Sequence, residues 1–396
     1  MTSTPPSSLP VLLAALCATG PLGIDMYLPS IPQMAADFGT GEGAVQLSLM
    51  TFFVGLMLGQ LAYGPLSDKF GRKPMIHLGL AVFAIGSVGC ALAGSIGQLH
   101  AMRLVQGLGG SIGMVIAFAI IKDCFSGVRM GQMMSLVLAV LGLCPVLAPM
   151  LGNGLQAVES WRLIFWALAG WGVLVALLAG VLLPETRKAE DRAGYRLGRV
   201  VQTYGRILLD RRFLPFALTL CVAQAGFFAY IAGSSSVFIS HLGLSPTQFS
   251  LLFALNALGL VVAAIITPKV HARFGVQATY RGVNSAYAVI MGALLVALLC
   301  GVSSLWVLCG GLFAAVALLG VLMPTGSQLA MMQQGPVAGT ASALMGSMQF
   351  GCGALVAALS GALAGFGASG LVAVMAGCAL ASALMCVLLF PRQRVA

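Results

Sequence analysis

The segment Gly64-Pro-Leu-Ser-Asp-Lys-Phe-Gly-Arg-Lys-Pro74 constrains this chain more than any other. It places four charges, Asp68, Lys69, Arg72 and Lys73, between two long runs that carry none. Apolar runs of about 18 to 25 residues cross a bilayer as helices. The segment therefore reads as a short connection between two transmembrane helices. Its surplus of positive charge predicts a cytoplasmic position.

The same pattern recurs along the whole chain. Of 396 residues, 59% are hydrophobic and only 8% charged, against about 25% charged in a soluble domain. Short alternating segments of the kind that build a membrane barrel are absent, so the expectation is an all-α membrane protein. Twelve spans are expected near 9–29, 44–66, 74–94, 98–121, 130–155, 162–183, 213–239, 247–268, 280–301, 304–326, 337–361 and 366–390. Pro74, Pro184 and Pro336 punctuate span ends, where a missing N–H costs least. The segment Met1 to Pro10 has no basic region of the kind that opens a secretory signal, so the first run is expected to be retained as a span.

Lysine and arginine set the orientation. With both termini inside, 18 of the 20 basic residues fall in cytoplasmic connections or the tail. The exceptions are Arg162, at an outer helix end, and Arg103, within a span. Asp37, Glu42 and Glu159 lie on the outer side. The net charge of +10 is thus a topology signal, not a sign of nucleic-acid binding. The expected location is a bacterial inner membrane, with both termini cytoplasmic and lipid as the surrounding partner.

The one long connection, 184–212, divides the spans six and six. The organisation expected is an N-terminal bundle (1–183), a cytoplasmic linker (184–212) and a C-terminal bundle (213–396). Within the linker, Leu197, Val200, Val201, Tyr204 and Leu208 share one helical face, with Arg196, Arg199 and Arg206 among them. That is the pattern of an amphipathic helix lying on a membrane surface. A shift of 204 residues lays Lys69-Phe70-Gly71 on Arg273-Phe274-Gly275, and Ser135–Leu155 on Gly339–Leu359. Duplicated bundles of this kind hold their substrate site between halves near the bilayer midplane.

Ionisable residues inside apolar runs are functional candidates by default. Asp25 lies about 24 Å along the first span at 1.5 Å per residue, in the outer part of the membrane. It reads either as a protonatable carboxyl in a cavity or as a carboxylate at the water interface above Pro29 and Pro32. Arg103 sits at a similar depth in the fourth span, which makes Asp25 its nearest candidate partner. Asp68 is placed to cap a helix end, and Gly64 and Gly71 to permit a tight turn. In the fifth span Pro145, Pro149 and several glycines weaken the helical ladder, for bending or for close packing. Gly55/Gly59 and Gly109/Gly113 are read as packing positions. Tyr27, Phe52, Gln106, Gln224, Phe228, Tyr230, Asn256 and Gln349 are candidates to line a largely apolar cavity.

The ten cysteines are scattered, and no Cys-x-x-Cys or Cys/His cluster suggests a metal. No phosphate-binding Gly-x-x-x-x-Gly-Lys-Ser/Thr loop is present, so no nucleotide cofactor is expected and an ion gradient is the energy source. A channel would need a filter loop or a charged ring. An enzyme would need clustered chemistry, yet His77, His100, His241 and His271 stand far apart.

The sequence resembles the major facilitator superfamily over essentially its whole length, and within it the Bcr/CflA-type multidrug exporters. The residues that carry the resemblance are Gly23-Ile-Asp25-Met-Tyr27-Leu-Pro29-Ser-Ile-Pro32, the Gly64–Pro74 segment and Arg103-Leu-Val-Gln106-Gly107. Trp161-Arg-Leu-Ile-Phe-Trp166 and Ala338-Gly-Thr-Ala-Ser342 add to them. The resemblance implies two pseudo-symmetric six-helix bundles working as a single chain, and proton-coupled export by alternating access. It implies that Asp25 and Arg103 couple protons. Asp68, with Gly64, Gly71, Arg72 and Lys73, would gate the cycle through the start of the eleventh span near Pro336. The substrates implied are chloramphenicol-like drugs, florfenicol among them, sulfonamides or bicyclomycin. The fifth span departs from the wider antiporter pattern: Cys144 precedes Pro145 where that pattern has Gly, and Gly152-Asn153-Gly154 replaces a Gly-Gly pair. The rival function is export of a small metabolite such as cysteine, which Asp25 and Arg103 could hold as paired charges.

Overall fold

A computed structural model describes residues 8–187, 197–302 and 304–390. Twelve helices long and apolar enough to cross a membrane account for nearly all of them, and among the described residues there is no strand. The spans are Leu9–Asp37, Glu42–Phe70, Arg72–Ala91, Ile96–Cys124, Gly127–Val158, Trp161–Leu182, Leu214–His241, Pro246–Phe274, Val276–Leu299, Leu305–Met331, Ala338–Ala362 and Ala364–Leu389. They agree with the expected runs, and the first extends furthest beyond its expected end. Connections after even-numbered spans form a basic face; those after odd-numbered spans form the opposite, acidic face.

The first span is broken. Its helix runs over Leu9–Asp25, passes through a 3₁₀ turn at Leu28–Ser30 and resumes at Ile31–Asp37. Pro29 and Pro32 supply no N–H, so the ladder cannot continue unchanged through them. This leaves carbonyls at the end of the first helix for other donors.

Duplication is visible in the turns. Gly71 and Gly275, aligned by the 204-residue shift, both have left-handed φ (+103° and +79°) and end one helix while opening the next. A residue with a side chain is strained in that region. Gly64 belongs to no turn. It lies inside the helix Glu42–Phe70, which continues through Pro65, so Gly71 alone makes the bend.

Continuing through Pro65 removes the N–H that would bond Leu61 O. The Tyr204 hydroxyl of the linker helix Leu197–Leu208 donates to that carbonyl instead, at 3.1 Å. Burial, then the nearby Asp68 carboxylate, pushes the Tyr204 phenol up to about 12, so it remains a donor at neutral pH. The expected amphipathic helix is present, but it docks through Tyr204 and the buried Ile207, while Val201 is exposed. Arg196, Arg392 and Arg394 lie outside the described residues, as do the side chains of Leu197, Arg199 and Pro336.

Two seams join the bundles: the second span packs on the eleventh, and the fifth on the eighth. The repeat exchanges these pairs. Glycine permits close approach, since a Cβ on Gly43 would occupy the position of Gly361 O, and one on Gly142 would stand 3.0 Å from Val261. Toward the acidic face the bundles are bonded: Glu42 accepts from Ser240 of the seventh span, and at the second seam Asn153 Nδ2 donates to Thr247 at 3.0 Å and Ser250 donates to Pro149 O at 3.3 Å. Within the first bundle, Gly55, Gly59, Gly109 and Gly113 each face backbone or side-chain atoms of a neighbouring span in the space of a Cβ. They are packing positions, as expected.

Two stability measurements test this reading. Gly113→Ala, whose Cβ would meet Leu16 O, is expected to cost about 1–3 kcal/mol by overpacking. Gly170→Ala, facing open space, is expected to leave the thermal midpoint in detergent unchanged. Tyr204→Phe deprives Leu61 O of its donor and is expected to cost about 1–3 kcal/mol in the same assay.

Candidate functional site

The fully buried Arg103 side chain lies beneath the break in the first span. Its Nη1 donates to Gly23 O at 2.8 Å and to Gln106 Oε1 at 2.6 Å. Gly23 O is among the last carbonyls of the first helix, which carry the negative end of the helix dipole. The guanidinium also lies against aromatic faces: Phe52 at 4.2 Å, Tyr27 at 4.4 Å and Phe165 at 5.8 Å. Each such contact adds about 0.5–2 kcal/mol when desolvated. Gln106 is fixed in turn, its Nε2 donating to Ser87 Oγ at 2.8 Å, and Ser87 donates to Phe83 O.

Asp25 stands two residues beyond Gly23 and is 2% exposed. The expected ion pair with Arg103 is absent. The guanidinium is engaged by Gly23 O, Gln106 and the rings, and Asp25 Oδ1 has no hydrogen-bond partner. Nε and Nη2 of Arg103 are also without hydrogen bonds. Across from Asp25 lies Cys144 of the fifth span. Further along that span, a Cβ on Gly152 would occupy the position of Met26 O. The proline- and glycine-containing stretch thus packs against the break itself. Pro145 is half-buried within it, and Pro149 is buried. The other nine carboxylates of the chain lie at span ends or in connections.

A second cluster faces the first across the seam. Phe53, next to Phe52, meets Phe228 at 4.7 Å and Phe350 at 5.9 Å. Tyr230 stacks on Phe253, and its hydroxyl accepts from Asn256 Nδ2 at 2.8 Å. Asn256 Oδ1 remains without a partner. Asp25, Tyr27, Phe52, Arg103 and Gln106 therefore gather in one place, and Phe228, Tyr230 and Asn256 in another. Gln224 and Gln349 are half-buried and hydrogen-bond to neither group. Ser87, Phe165 and the buried Gln46, whose amide has no partner, were not among the sequence candidates. Gln106, one turn after Arg103, was the available pointer to Ser87. Phe165 falls inside the Trp161–Trp166 segment, but nothing along the chain pointed to its contact with Arg103.

At the basic face, Arg72 is the hub of the charged segment. It pairs with Asp68 at 2.8 Å and Asp123 at 3.0 Å, and donates to Ser67. Glu185 accepts from the backbone N–H groups of Arg72 and Lys73, capping the third span, while Lys73 Nζ donates to Gly180 O. Among the described residues, no hydrogen bond or ion pair joins Asp68 to the eleventh span, because Arg72 holds its carboxylate. This clamp joins the first bundle to the start of the linker, through Glu185.

The sequence model of the Major Facilitator Superfamily matches residues 12–357. The chain belongs to that superfamily. An MFS-type transporter of Bacillus subtilis (strain 168), YdgK, is 35% identical over 89% of this chain and 88% of its own. A bicyclomycin resistance protein homolog of Haemophilus influenzae is 29% identical over 94% of this chain and 93% of its own. The crystal structure of a D-xylose–proton symporter superposes with a TM-score of 0.75 at 15% identity, covering 97% of this chain and 98% of that one. This last likeness shows the major facilitator fold of two pseudo-symmetric six-helix bundles.

For this transporter, the Arg103 environment predicts unequal substitutions. Arg103→Lys keeps a cation for Gly23 O but loses the planar stack on Tyr27 and Phe52, and is expected to retain partial transport. Arg103→Ala leaves Gln106 Oε1 and Gly23 O without their donor and is expected to abolish transport. Equal activity of the two variants in a vesicle transport assay would show that the charge is dispensable.

Proposed function

We propose that the protein is a proton-coupled exporter of small drug-like compounds, working by alternating access between its two bundles. The observation that carries this reading is the buried Asp25 carboxyl. It has a partnerless oxygen, stands two residues beyond the carbonyl that engages Arg103, and is the only carboxylate in the interior of a span among the described residues. Such a carboxyl is free to exchange a proton or meet a substrate without first breaking a salt bridge. Arg103 then keeps the first helix end and the aromatic rings in register with it.

Drug-like substrates are supported by the aromatic lining and by the relative named for bicyclomycin resistance. Few fixed charges and many ring faces suit neutral or lipophilic ligands. Chloramphenicol-like drugs, sulfonamides and bicyclomycin are the compounds to try, as in the Bcr/CflA branch. Tyr27, Phe52, Gln106, Gln224, Phe228, Tyr230, Asn256 and Gln349 are assigned to substrate contact, with Asp25 among them.

The placement of 18 of 20 basic residues supports cytoplasmic termini and export out of a bacterial inner membrane. In the cycle proposed, the bundles 1–183 and 213–396 rock about the linker 184–212. The bonds between Glu42 and Ser240 and between Asn153 and Thr247 break when the acidic face opens. Pro145 and Pro149 let the fifth span bend beside Asp25. Asp68, Gly71, Arg72 and Lys73 hold the basic end of the first bundle as one body, with Gly64 inside the helix that leads to them.

Energised everted vesicles test the proposal directly. Addition of chloramphenicol, a sulfonamide or bicyclomycin is expected to release protons and collapse the pH gradient in the wild type. Asp25→Asn, folded to the same thermal midpoint, is expected to show no such collapse. Drug efflux by Asp25→Asn equal to wild type would remove Asp25 from the mechanism. A response to cysteine alone would replace the drug reading with metabolite export.

A further inference from the structure

The basic end of the second bundle holds a cavity of about 540 Å³. It opens among the seventh, ninth, tenth and twelfth spans rather than between the two bundles, and so lies off the proposed transport path. Arg211 and Arg212 line one side, Gln328 and Gln333 contribute amides, and Phe216 and Leu389 give an apolar wall.

Basic side chains at this end of the molecule outnumber the carboxylates that the chain supplies. Asp210 is the last carboxylate side chain in the sequence; residues 211–396 contain seven Lys and Arg and no Asp or Glu. Both oxygens of Asp210 are already engaged, by the Arg212 backbone N–H at 2.9 Å and by Gln334 Nε2 at 2.7 Å. Those two bonds hold its carboxyl below the usual carboxylate range. Among the described residues, neither the Arg211 nor the Arg212 guanidinium makes an ion pair. The arginines are exposed, and so are the apolar side chains at the rim: Met332 is 68% exposed and Leu389 44%.

Two guanidiniums above an exposed apolar wall, at the level where the spans leave the membrane, match one amphiphile. We propose that this cavity binds an anionic phospholipid of the surrounding leaflet, its phosphate held by Arg211 and Arg212 and its acyl chain laid along Phe216 and Leu389. Guanidinium forks suit phosphate oxygens, and basic pockets between helix ends at a membrane surface take anionic head groups. Because both arginines belong to the connection between bundles, Gln328 to the tenth span and Gln333 to the turn after it, the lipid ties that connection to the second bundle beside the Asp210–Gln334 bond.

Native mass spectrometry of the full-length protein tests the site, using micelles with equal amounts of phosphatidylglycerol and phosphatidylcholine. Wild type is expected to retain one phosphatidylglycerol in preference to phosphatidylcholine. Arg211→Gln and Arg212→Gln are each expected to weaken that retention about fivefold, and together about thirtyfold. Lys122→Gln with Arg129→Gln, at the basic end of the first bundle, is expected to leave it unchanged. Equal retention of the two lipids by wild type, equal loss in the control pair, or unchanged retention in both single variants would overturn the assignment. Excess inorganic phosphate that displaces the lipid, where chloride at equal ionic strength does not, would reassign the cavity to soluble phosphate and overturn the lipid.

Discussion

Arg103 carries a charge it cannot release in a place no water reaches. Removing an ion from water costs several kcal/mol even after the surroundings relax, so the neighbourhood must compensate. It does so without a carboxylate. The end of the first helix offers the Gly23 carbonyl, Gln106 offers a second, and three rings cover the faces of the guanidinium. The break at Pro29 is what exposes that helix end at this depth. Gly23 is small because Phe52 must come within 2.9 Å of where its Cβ would stand. Asp25 is left unpaired as a result of the same arrangement.

Around this fixed point, the rest of the architecture is a matter of which backbones approach. The pairs formed by the second and eleventh spans and by the fifth and eighth are exchanged by the internal repeat, so one packing solution serves twice. Phe53 carries the first seam into the second bundle, meeting Phe228 and Phe350, while Phe52 on the same turn faces Arg103. A single helical turn thus links the buried cation to the facing bundle. Where proline interrupts a helix in lipid, a donor from elsewhere takes over its duty, as Tyr204 does at Leu61 O.

Much of this was legible in the chain. Apolar run length and charge placement gave all twelve spans, and the 204-residue shift found the paired turns at Gly71 and Gly275. Asp25 and Arg103 were found because charges within apolar runs are costly and few. Their relation was misread because depth along a helix says nothing about rotation around it. Gly64 was assigned to the turn because Gly and Pro read as breakers, yet a helix in lipid keeps its ladder where a replacement donor is at hand. The burial of Ile207 and the contact of Phe165 with Arg103 went unread for a related reason: in a chain this apolar, hydrophobicity no longer distinguishes a side chain facing protein from one facing lipid. Only the tertiary arrangement separates Ile207, buried, from Val201 on the same helix.

The absence of Asp and Glu beyond residue 210 makes the duplicated bundles chemically unequal. They share a shape, but only the first holds an acid within the membrane. Any event within the membrane that begins with a carboxylate gaining or losing a proton must start there. The second bundle can learn of it only through contact, along the two seams and the connection that follows Asp210. The twofold architecture conceals that inequality.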